Sequence, residues 1–390
     1  MMVSSTNKEK GVIIIEGHVQ GLSNTRALGE AGISVIVIDK SNCLARYSKY
    51  CKKFFYCPDF ISEEFVPFLI DLAKREDLNG WALIPSNDHA VYSISKHKTE
   101  LSNYYKIIIP ELDIIDNIYD KSKLLKLAEK VNIPFPKTQY FTSANDSISG
   151  ELSFPLITKG RNGLSFYRAL GKKALLSNTE FDLRNHLQQI TEKFSIKSSF
   201  TQELIPFNGA NKTISFTAFC IDGNIKTFWI GEKVREHPIR FGTATFASSI
   251  DCKELFEPSQ RLLKELKYTG VCEVEYLLDP RDKKYKLIEI NARTWLWVGL
   301  ARTCGIDYAV MIYNYLNEIE TIYPNQYRIG VNWVNYLTDI PFSIISIIKG
   351  KLSIKQYFSS CRGKTVDAFF SWKDLYPSVM FFFLSLYIVI

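Results

Sequence analysis

The sequence predicts an α/β domain with a parallel sheet, followed by an α+β region built on antiparallel strands. The first prediction rests on the opening, where two continuous apolar runs, GVIIIEG and ISVIVID, flank a helical segment between Ser23 and Gly32. Such an order is typical of parallel strands joined by a crossover. The second rests on two predicted hairpins, one turning at Asp222-Gly223 and the other at residues 280–283.

Composition places the chain among globular proteins of two or three domains. It has 390 residues, of which 46% are hydrophobic, which is enough for sizeable cores. The net charge of +7 is mild for this length, so it fits an anionic small molecule and gives no reason to expect a nucleic-acid partner. The eight cysteines form no C-x-x-C pair, and the polar first ten residues lack a secretion signal. A reducing cytoplasm is therefore predicted.

Residues 1–115 are predicted to form the α/β domain. Two further strands, GWALIP and KIIIP, follow the opening pair. Asp88 and His89 come just after the first of these, at the strand end where open α/β sheets bind ligands. Gly17 and Gly21 do not form the G-x-G-x-x-G pattern, which disfavours a dinucleotide.

From Asp116 onward the sequence pattern is no longer that of alternating buried strands and helices. An amphipathic helix from Asp120 to Val131 is stopped by Pro134 and Pro136. A short strand, FPLITKG, then ends at Lys159 before a predicted glycine-containing loop. A lysine in that position can reach a phosphate group as a point charge.

The second hairpin concentrates acidic and amide groups. Glu273 and Glu275 share one face of its first strand, and Glu289 and Asn291 share one face of its second. Arg293 follows on the same face, and Leu287 is expected to point the same way. Carboxylates brought together repel, so they need a cation, and hard oxygen ligands suit Mg²⁺. From the hairpin alone, a salt-bridge ladder with nearby lysines stays open as the alternative.

A cationic segment lies between the two hairpins. Lys233, Arg235 and Arg240 precede a predicted turn at Gly242-Thr243. Binding of a phosphate or carboxylate and a solvated sheet edge are both compatible with this pattern.

The order of these features resembles the ATP-grasp superfamily over about residues 11–320. The motifs are Asp120-Lys121 with the NIPFP run at 132–136, the strand ending at Lys159, a hinge at 202–205, and the strand pair at 274–276 and 288–293. Within the superfamily, the chain is similar to stand-alone carboxylate–amine ligases related to carbamoyl-phosphate synthase large-subunit domains. This resemblance implies a pre-ATP-grasp domain at 1–115 and a two-lobed ATP-grasp fold at 116–325, with a lid at about 155–203 and an antiparallel-sheet core. A C-terminal extension at 326–390 follows.

The resemblance also implies ligands and residue roles. ATP and two Mg²⁺ ions are expected, with Mn²⁺ as a substitute. The residues implied to contact ATP are Lys121 and Lys159 at the phosphates and Gln202, Glu203, Leu204 and Ile205 at the adenine. The implied metal ligands are Glu275, Glu289 and Asn291. The ribose contact is not identifiable, because Asn208, Asn211 and Lys212 are only neighbours of the hinge.

The implied reaction joins a carboxylate to an amine through an acyl phosphate, releasing ADP and phosphate. Arg293 would stabilise the transferring phosphoryl group or the tetrahedral intermediate, and Lys233 and Arg235 would steady the acceptor carboxylate. An amino acid and a small or sugar-linked acid are the expected substrates, chosen by the first domain, by residues 233–245 and by residues around Trp295, Trp297 and Arg302. Carboxylation, carboxylate phosphorylation and non-catalytic nucleotide binding are the alternatives.

The last twelve residues, VMFFFLSLYIVI, are strongly apolar but too short to span a bilayer. They are expected either to dock in the core or to contact a membrane peripherally, at the inner membrane surface. Upstream basic residues favour such a contact: Lys349, Lys351, Lys355, Arg362, Lys364 and Lys373. The oligomeric state is left open.

Overall fold

The structure, a computed structural model, describes residues 10–207, 212–237 and 242–389. In this part of the chain there are three sheets: one of five strands, one of four and one of seven. The five strands are parallel, and the four-stranded sheet is antiparallel. The seven-stranded sheet is antiparallel except for its last pair. The predicted combination of α/β and α+β folds is therefore confirmed.

The five-stranded sheet is built from residues 12–106. Its elements are β1 (Val12–Ile15), α1 (Val19–Glu30), β2 (Val35–Asp39), β3 (Cys51–Tyr56), α2 (Phe65–Arg75), β4 (Trp81–Pro85), α3 (Asp88–Lys96), α4 (Lys98–Leu101) and β5 (Tyr105–Lys106). The strand order is β3-β2-β1-β4-β5. Successive strands therefore run outward in one direction from β1 and in the other from β4. This reversal leaves a crevice outside the carboxyl ends of β1 and β4.

Two helices lead from this sheet to the rest of the protein, α5 (Leu112–Tyr119) and α6 (Lys121–Lys130). The Asp120 carboxylate accepts backbone hydrogen bonds from Ser122 at 2.8 Å and Lys123 at 3.4 Å, which caps α6 at its start. Asn132 adopts a left-handed φ of +56° just past its end. The predicted helix is thus present, and it begins with Lys121.

The four-stranded sheet forms a small lobe of its own, and the segment predicted as a lid, about 155–203, lies within it. Its elements are β6 (Thr138–Gln139), β7 (Leu156–Gly160), α7 (Gly163–Leu170), β8 (Leu175–Ser177), α8 (Glu180–Lys193) and β9 (Ser199–Glu203), in the strand order β6-β9-β7-β8. The segment after Lys159 is helix α7 and not the predicted loop. Phe166 is fully buried in the core of this lobe, and the Asn162 side chain caps the helix by accepting from Ser165 N at 3.1 Å.

The seven-stranded sheet forms the centre of the protein. Its first elements are β10 (Thr213–Ile221), β11 (Asn224–His237), β12 (Thr243–Ser249), α9 (Phe256–Glu265), β13 (Gly270–Leu278), β14 (Tyr285–Asn291), α10 (Val298–Thr303) and α11 (Tyr308–Leu316). Asp222 and Gly223 have φ of +46° and +73°, as the predicted two-residue hairpin turn requires. The hairpin of β13 and β14 is also present, at one edge of the sheet.

The end of the chain completes the other edge of the central sheet. It forms β15 (Asn332–Val334), α12 (Tyr336–Ile348), α13 (Ile354–Ser360), β16 (Thr365–Asp367) and α14 (Tyr376–Val389). Strand β15 pairs with β12, and β16 pairs with β15. Two buried acids anchor this region, since Asp339 pairs with Arg235 and Asp374 pairs with Arg26. Among the residues that the structure describes, no helix has the length and hydrophobicity needed to cross a membrane.

Candidate active site

The hairpin of β13 and β14 brings its carboxylates face to face. Glu275 lies directly opposite Glu289, and Glu273 lies opposite Asn291. The register shifts between Glu275 and Tyr276, so Ile288 is an extra residue in β14. This bulge turns Leu287 toward the buried core, and the expectation that Leu287 points the same way as Glu289 is wrong.

Each carboxylate of the Glu275–Glu289 pair is bound by a lysine from another element. Lys121, the first residue of α6, donates to Glu289 Oε2 at 2.6 Å. Lys233, on β11, donates to Glu275 Oε1 at 2.7 Å. Lys121 is the main cause of a lowered pKa of Glu289, to about 2, with Lys233 and Lys159 acting in the same direction. Glu289 therefore stays ionised throughout the physiological range.

Lys159, at the end of β7, completes this group, which we call the carboxylate–lysine cluster: Glu275, Glu289, Lys121, Lys159 and Lys233. Burial and, to a lesser extent, the charge of Lys121 lower the pKa of Lys159 to about 8, and Glu289 partly opposes them. Lys121 and Lys159, which were predicted to contact phosphates, thus lie close to each other and to Glu289 on β14. A concentration of positive charge beside paired carboxylates suits a ligand that combines phosphates with a metal ion.

Glu273 belongs beside this cluster, although it was not among the predicted ligands. Its carboxylate accepts from Ser215 Oγ at 2.7 Å and from Asn291 Nδ2 at 2.9 Å. Burial and the neighbouring Glu275 raise its pKa to about 7, and Lys233 opposes this shift. The amide of Asn291 is therefore oriented by Glu273. Glu273 lies two residues before Glu275 on the same strand face, and this spacing could have placed it in the predicted site.

Arg293 connects the central sheet to the parallel sheet. Its Nε and Nη2 donate to the two carboxylate oxygens of Asp88, each at 2.8 Å, and Nη1 donates to the Thr294 carbonyl at 3.0 Å. Asp88 opens α3 at the carboxyl end of β4, and Tyr119 donates to its backbone carbonyl at 3.0 Å. The sheet edge predicted to bind ligands therefore meets the predicted catalytic arginine.

The hinge at residues 202–205 is held by hydrogen bonds of its own. Gln202 donates to Thr138 Oγ1 at 2.9 Å, and the Leu204 N–H donates to the Pro155 carbonyl at 3.1 Å. The Glu203 carboxylate is bound by Arg281 at 3.0 Å and by the backbone N–H of Ser153 at 3.0 Å. The side chain of Glu203 therefore fixes the hinge to the β13–β14 turn. An adenine contact at this point would use backbone groups.

Several predicted residues lie away from the cluster. Arg235 follows Lys233 across a register shift, and its guanidinium is bound by Asp339 at 2.7 and 2.8 Å. In this structure it contacts the C-terminal extension, so an acceptor contact would require Asp339 to release it. Trp295 and Trp297 are buried beside Trp229 in the core. Asn208, Asn211 and Arg240 lie outside the described residues.

The oxygen donors fit a magnesium ion that also binds phosphate. Glu275 and Glu289 are paired carboxylates, and Asn291 adds an amide oxygen next to Glu273. Within residues 10–207, 212–237 and 242–389, no three His, Cys, Asp or Glu side chains converge as a metal cage. Mg²⁺ is commonly held by one or two carboxylates together with phosphate oxygens and water, so this donor set suits it.

Comparisons with known proteins agree with this geometry. The sequence model described as "Carbamoyl-phosphate synthase L chain, ATP binding domain" matches residues 232–312. A D-aspartate ligase of Enterococcus faecium is 27% identical over 313 residues, which cover 75% of this chain and 73% of that protein. These matches bear out the predicted resemblance to the ATP-grasp superfamily.

Solved structures of other proteins share the fold. An L-amino acid ligase from Bacillus licheniformis has a TM-score of 0.60 at 16% identity, covering 81% of this chain and 77% of its own. The biotin carboxylase domain of a 2-oxoglutarate carboxylase from Hydrogenobacter thermophilus, in complex with MgADP, has a TM-score of 0.62 at 15% identity, covering 82% and 73%. The predicted resemblance and the predicted fold class are confirmed, and the ligase relatives agree with the predicted enzyme class.

Proposed function

We propose that this protein is an ATP-dependent ligase that joins a carboxylate to an amine through an acyl-phosphate intermediate. The observation that carries the proposal is the carboxylate–lysine cluster, in which three lysines from separate elements surround the paired Glu275 and Glu289. Arg293 adds a fourth cation at the adjoining sheet edge. Such preorganised charges are what phosphoryl transfer requires.

In the first step, the substrate carboxylate attacks the terminal phosphorus of ATP, and ADP leaves. Lys121 and Lys159 bind phosphate oxygens, and the hinge at 202–205 holds the adenine. Glu275, Glu289 and Asn291 would hold Mg²⁺ ions, which supply neutralisation of the phosphate charge when bound. Arg293 stabilises the transferring group. Lys233 steadies the acceptor carboxylate, and Arg235 would join it once released from Asp339.

In the second step, the amine attacks the acyl carbon, a C–N bond forms and phosphate leaves with the electron pair of the broken C–O bond. Water competes with the amine, so the intermediate must be shielded. The four-stranded lobe carries Lys159 on β7, and the hinge lies at the end of its strand β9. Its closure over ATP would place Lys159 and exclude water in one movement.

An amino acid is the substrate class that the relatives support. Two of them, a D-aspartate ligase and an L-amino acid ligase, are named for amino-acid substrates. A sugar-linked or other small acid is the proposed second class of substrate.

The test is ADP release from ATP and Mg²⁺ with a panel of amino acids, each assayed alone, with hydroxylamine and with a second amino acid. Hydroxylamine traps an acyl phosphate as a hydroxamate. Hydroxamate formation together with ADP release supports the proposal. ADP release that depends on bicarbonate would instead establish carboxylation, the chemistry of the carboxylase neighbours. Failure to bind MgATP would contradict every enzymatic interpretation.

We also propose that the protein contacts the inner surface of the cytoplasmic membrane through residues 336–389. More than half of the exposed large apolar side chains of the described residues lie in this stretch, including Ile348, Phe358 and Trp372. The six basic residues predicted to assist are all exposed. Two of the three acids, Asp339 and Asp374, are buried in ion pairs, and Asp367 is half-buried. An apolar surface rimmed by positive charge is complementary to anionic lipid.

A further inference from the structure

A second polar group lies at the point where the strand order of the parallel sheet reverses. Glu16 follows β1, Gln20 lies in the first turns of α1, and Ser86 follows β4. We call these three residues the switch-point cluster. Because they lie outside the carboxyl ends of β1 and β4, they occupy the crevice where open α/β sheets bind ligands.

Glu16 is held at this edge in a strained conformation. Its φ is +72°, a left-handed value that is uncommon for a residue other than glycine. Its carboxylate accepts from Gln20 Nε2 at 3.0 Å and from Asn87 Nδ2 at 2.9 Å. Both donors are neutral amides, so they orient the negative charge without cancelling it. Backbone strain that surrounding contacts maintain is typical of functional sites.

The same cluster contains two buried oxygens without a hydrogen-bond partner in the structure. They are Gln20 Oε1 and Ser86 Oγ. The two residues adjoin, because Gln20 Nε2 donates to the Ser86 carbonyl at 3.0 Å. Native proteins rarely leave buried polar atoms unsatisfied, so such atoms call for an explanation. A ligand that donates hydrogen bonds would satisfy both.

The chemistry of this ligand follows from the groups that face it. The cluster offers a carboxylate and two oxygens that can accept hydrogen bonds, and an ammonium group has three N–H donors and a positive charge. Two consecutive residues connect Glu16 to a cation, because Asn87 donates to Glu16 and Asp88 is bound by Arg293. A negative group and a positive group are thus held by the same short segment, an arrangement that suits a zwitterion.

We propose that the switch-point cluster binds the ammonium group of an amino-acid substrate, with the substrate carboxylate directed toward Arg293. This inference rests on the proposed function, and it assigns amino-acid recognition to Glu16, Gln20 and Ser86. Removing the charge of Glu16 would then affect substrates that carry an ammonium group and spare those that lack one.

The experiment compares an amino acid with the acid of the same shape that lacks the amino group. D-aspartate with succinate and L-alanine with propionate are suitable pairs, and hydroxylamine is the common nucleophile. In the wild-type protein kcat/KM is higher for the amino acid. In Glu16→Gln it falls at least about tenfold for the amino acid, the loss of one charge-assisted contact, and stays unchanged for the des-amino acid.

Glu63→Gln, which removes an exposed carboxylate of the same domain, is the matched control and changes neither value. Ser86→Ala is a second variant, and it gives a smaller loss in the same direction. The inference is overturned if hydroxamate forms but Glu16→Gln keeps the wild-type preference for amino acids, or if both acids lose activity equally. If the wild-type protein forms no hydroxamate from any acid, the proposed function itself fails.

Discussion

The ammonium group of Lys121 lies 2.6 Å from a carboxylate oxygen of Glu289, although the two residues are 168 positions apart. One begins helix α6 and the other lies in the edge strand β14. Lys233 holds Glu275 in the same way. The lysines thus neutralise paired carboxylates that would otherwise repel, and they keep both charges in place for the cation and phosphates of a nucleotide.

Replacing Glu289 by glutamine should abolish ADP formation while leaving the fold intact. The change keeps the shape of the side chain and removes the charge that Lys121, Lys159 and Lys233 all face. A loss of at least about 100-fold in kcat is expected, as for other preorganised charges. Circular dichroism and thermal melting check the fold, and Glu265→Gln, in an exposed pair with Lys130, is the control. Near-normal turnover of Glu289→Gln would refute the metal assignment.

ATP should bind more weakly as the pH rises through about 8, the pKa of Lys159 in the free protein. Below that value the side chain is an ammonium that attracts phosphate, and above it the charge is lost. Titration calorimetry of ATP between neutral and alkaline pH measures the effect. Lys159→Arg should bind ATP with little change over the same interval, because a guanidinium keeps its charge. An identical pH dependence in that variant would exclude Lys159 as its source.

Asp339→Asn should destabilise the protein by about 3 kcal/mol, as expected when one partner of a buried ion pair is removed. Asp339 is 1% exposed, and it also accepts from Thr245 Oγ1 at 2.9 Å. Urea denaturation measures the change. Asp71→Asn, in the exposed pair with Arg75, should cost less than about 1 kcal/mol. Equal losses from the two substitutions would contradict the anchoring role of Asp339.

Comparing Asp339→Asn with a substitution of Arg235 distinguishes two possible roles of Arg235. If Arg235 only anchors the C-terminal extension, Arg235→Lys and Asp339→Asn should lower stability to similar extents, with similar KM values for the acid. A contact with the acceptor carboxylate predicts a rise in KM in Arg235→Lys alone. Steady-state kinetics with the best acid of the panel decides between them.

Vesicles that contain phosphatidylglycerol should bind the protein, and vesicles of phosphatidylcholine alone should bind it less. Sedimentation at increasing salt measures both, and binding should weaken as charges are screened. Trp372→Ser and Ile348→Ser remove side chains that are 81% and 79% exposed, and both should reduce binding. Ile322→Ser, at a side chain 92% exposed outside this surface, is the control. Equal binding of all three variants would contradict the proposed surface.

The alternation of side chains along the sequence was sufficient to predict those parts of the site that lie within a single strand. Alternation placed Glu273 with Glu275, and Glu289 with Asn291, on shared faces because side chains in a strand repeat every two residues. It failed at Leu287, because one bulged residue reverses the alternation and nothing in the sequence marks Ile288 as that residue. Helix α7 was missed, although Asn162 and Gly171 at its ends are ordinary start and stop signals.

Contacts between distant segments could not be predicted from one sequence. Arg293 and Asp88 were both singled out, but their pairing depends on how two sheets dock. The partnership of Arg235 with Asp339 joins a strand to a helix 104 positions later, and only the assembled structure shows it. The same holds for the switch-point cluster, since Ser86 follows one strand and Glu16 another, and adjacency depends on strand order.

The way in which β15 and β16 close the central sheet has a consequence for synthesis. Strand β12 is complete at Ser249, but its outer edge stays unpaired until residues 332–367 have emerged from the ribosome. Arg235 stays without Asp339 over the same period. The nascent chain therefore presents an open strand edge and an unmatched charge while residues 250–331 are synthesised. This interval is when the protein is most exposed to misassembly with neighbouring chains and most in need of chaperones.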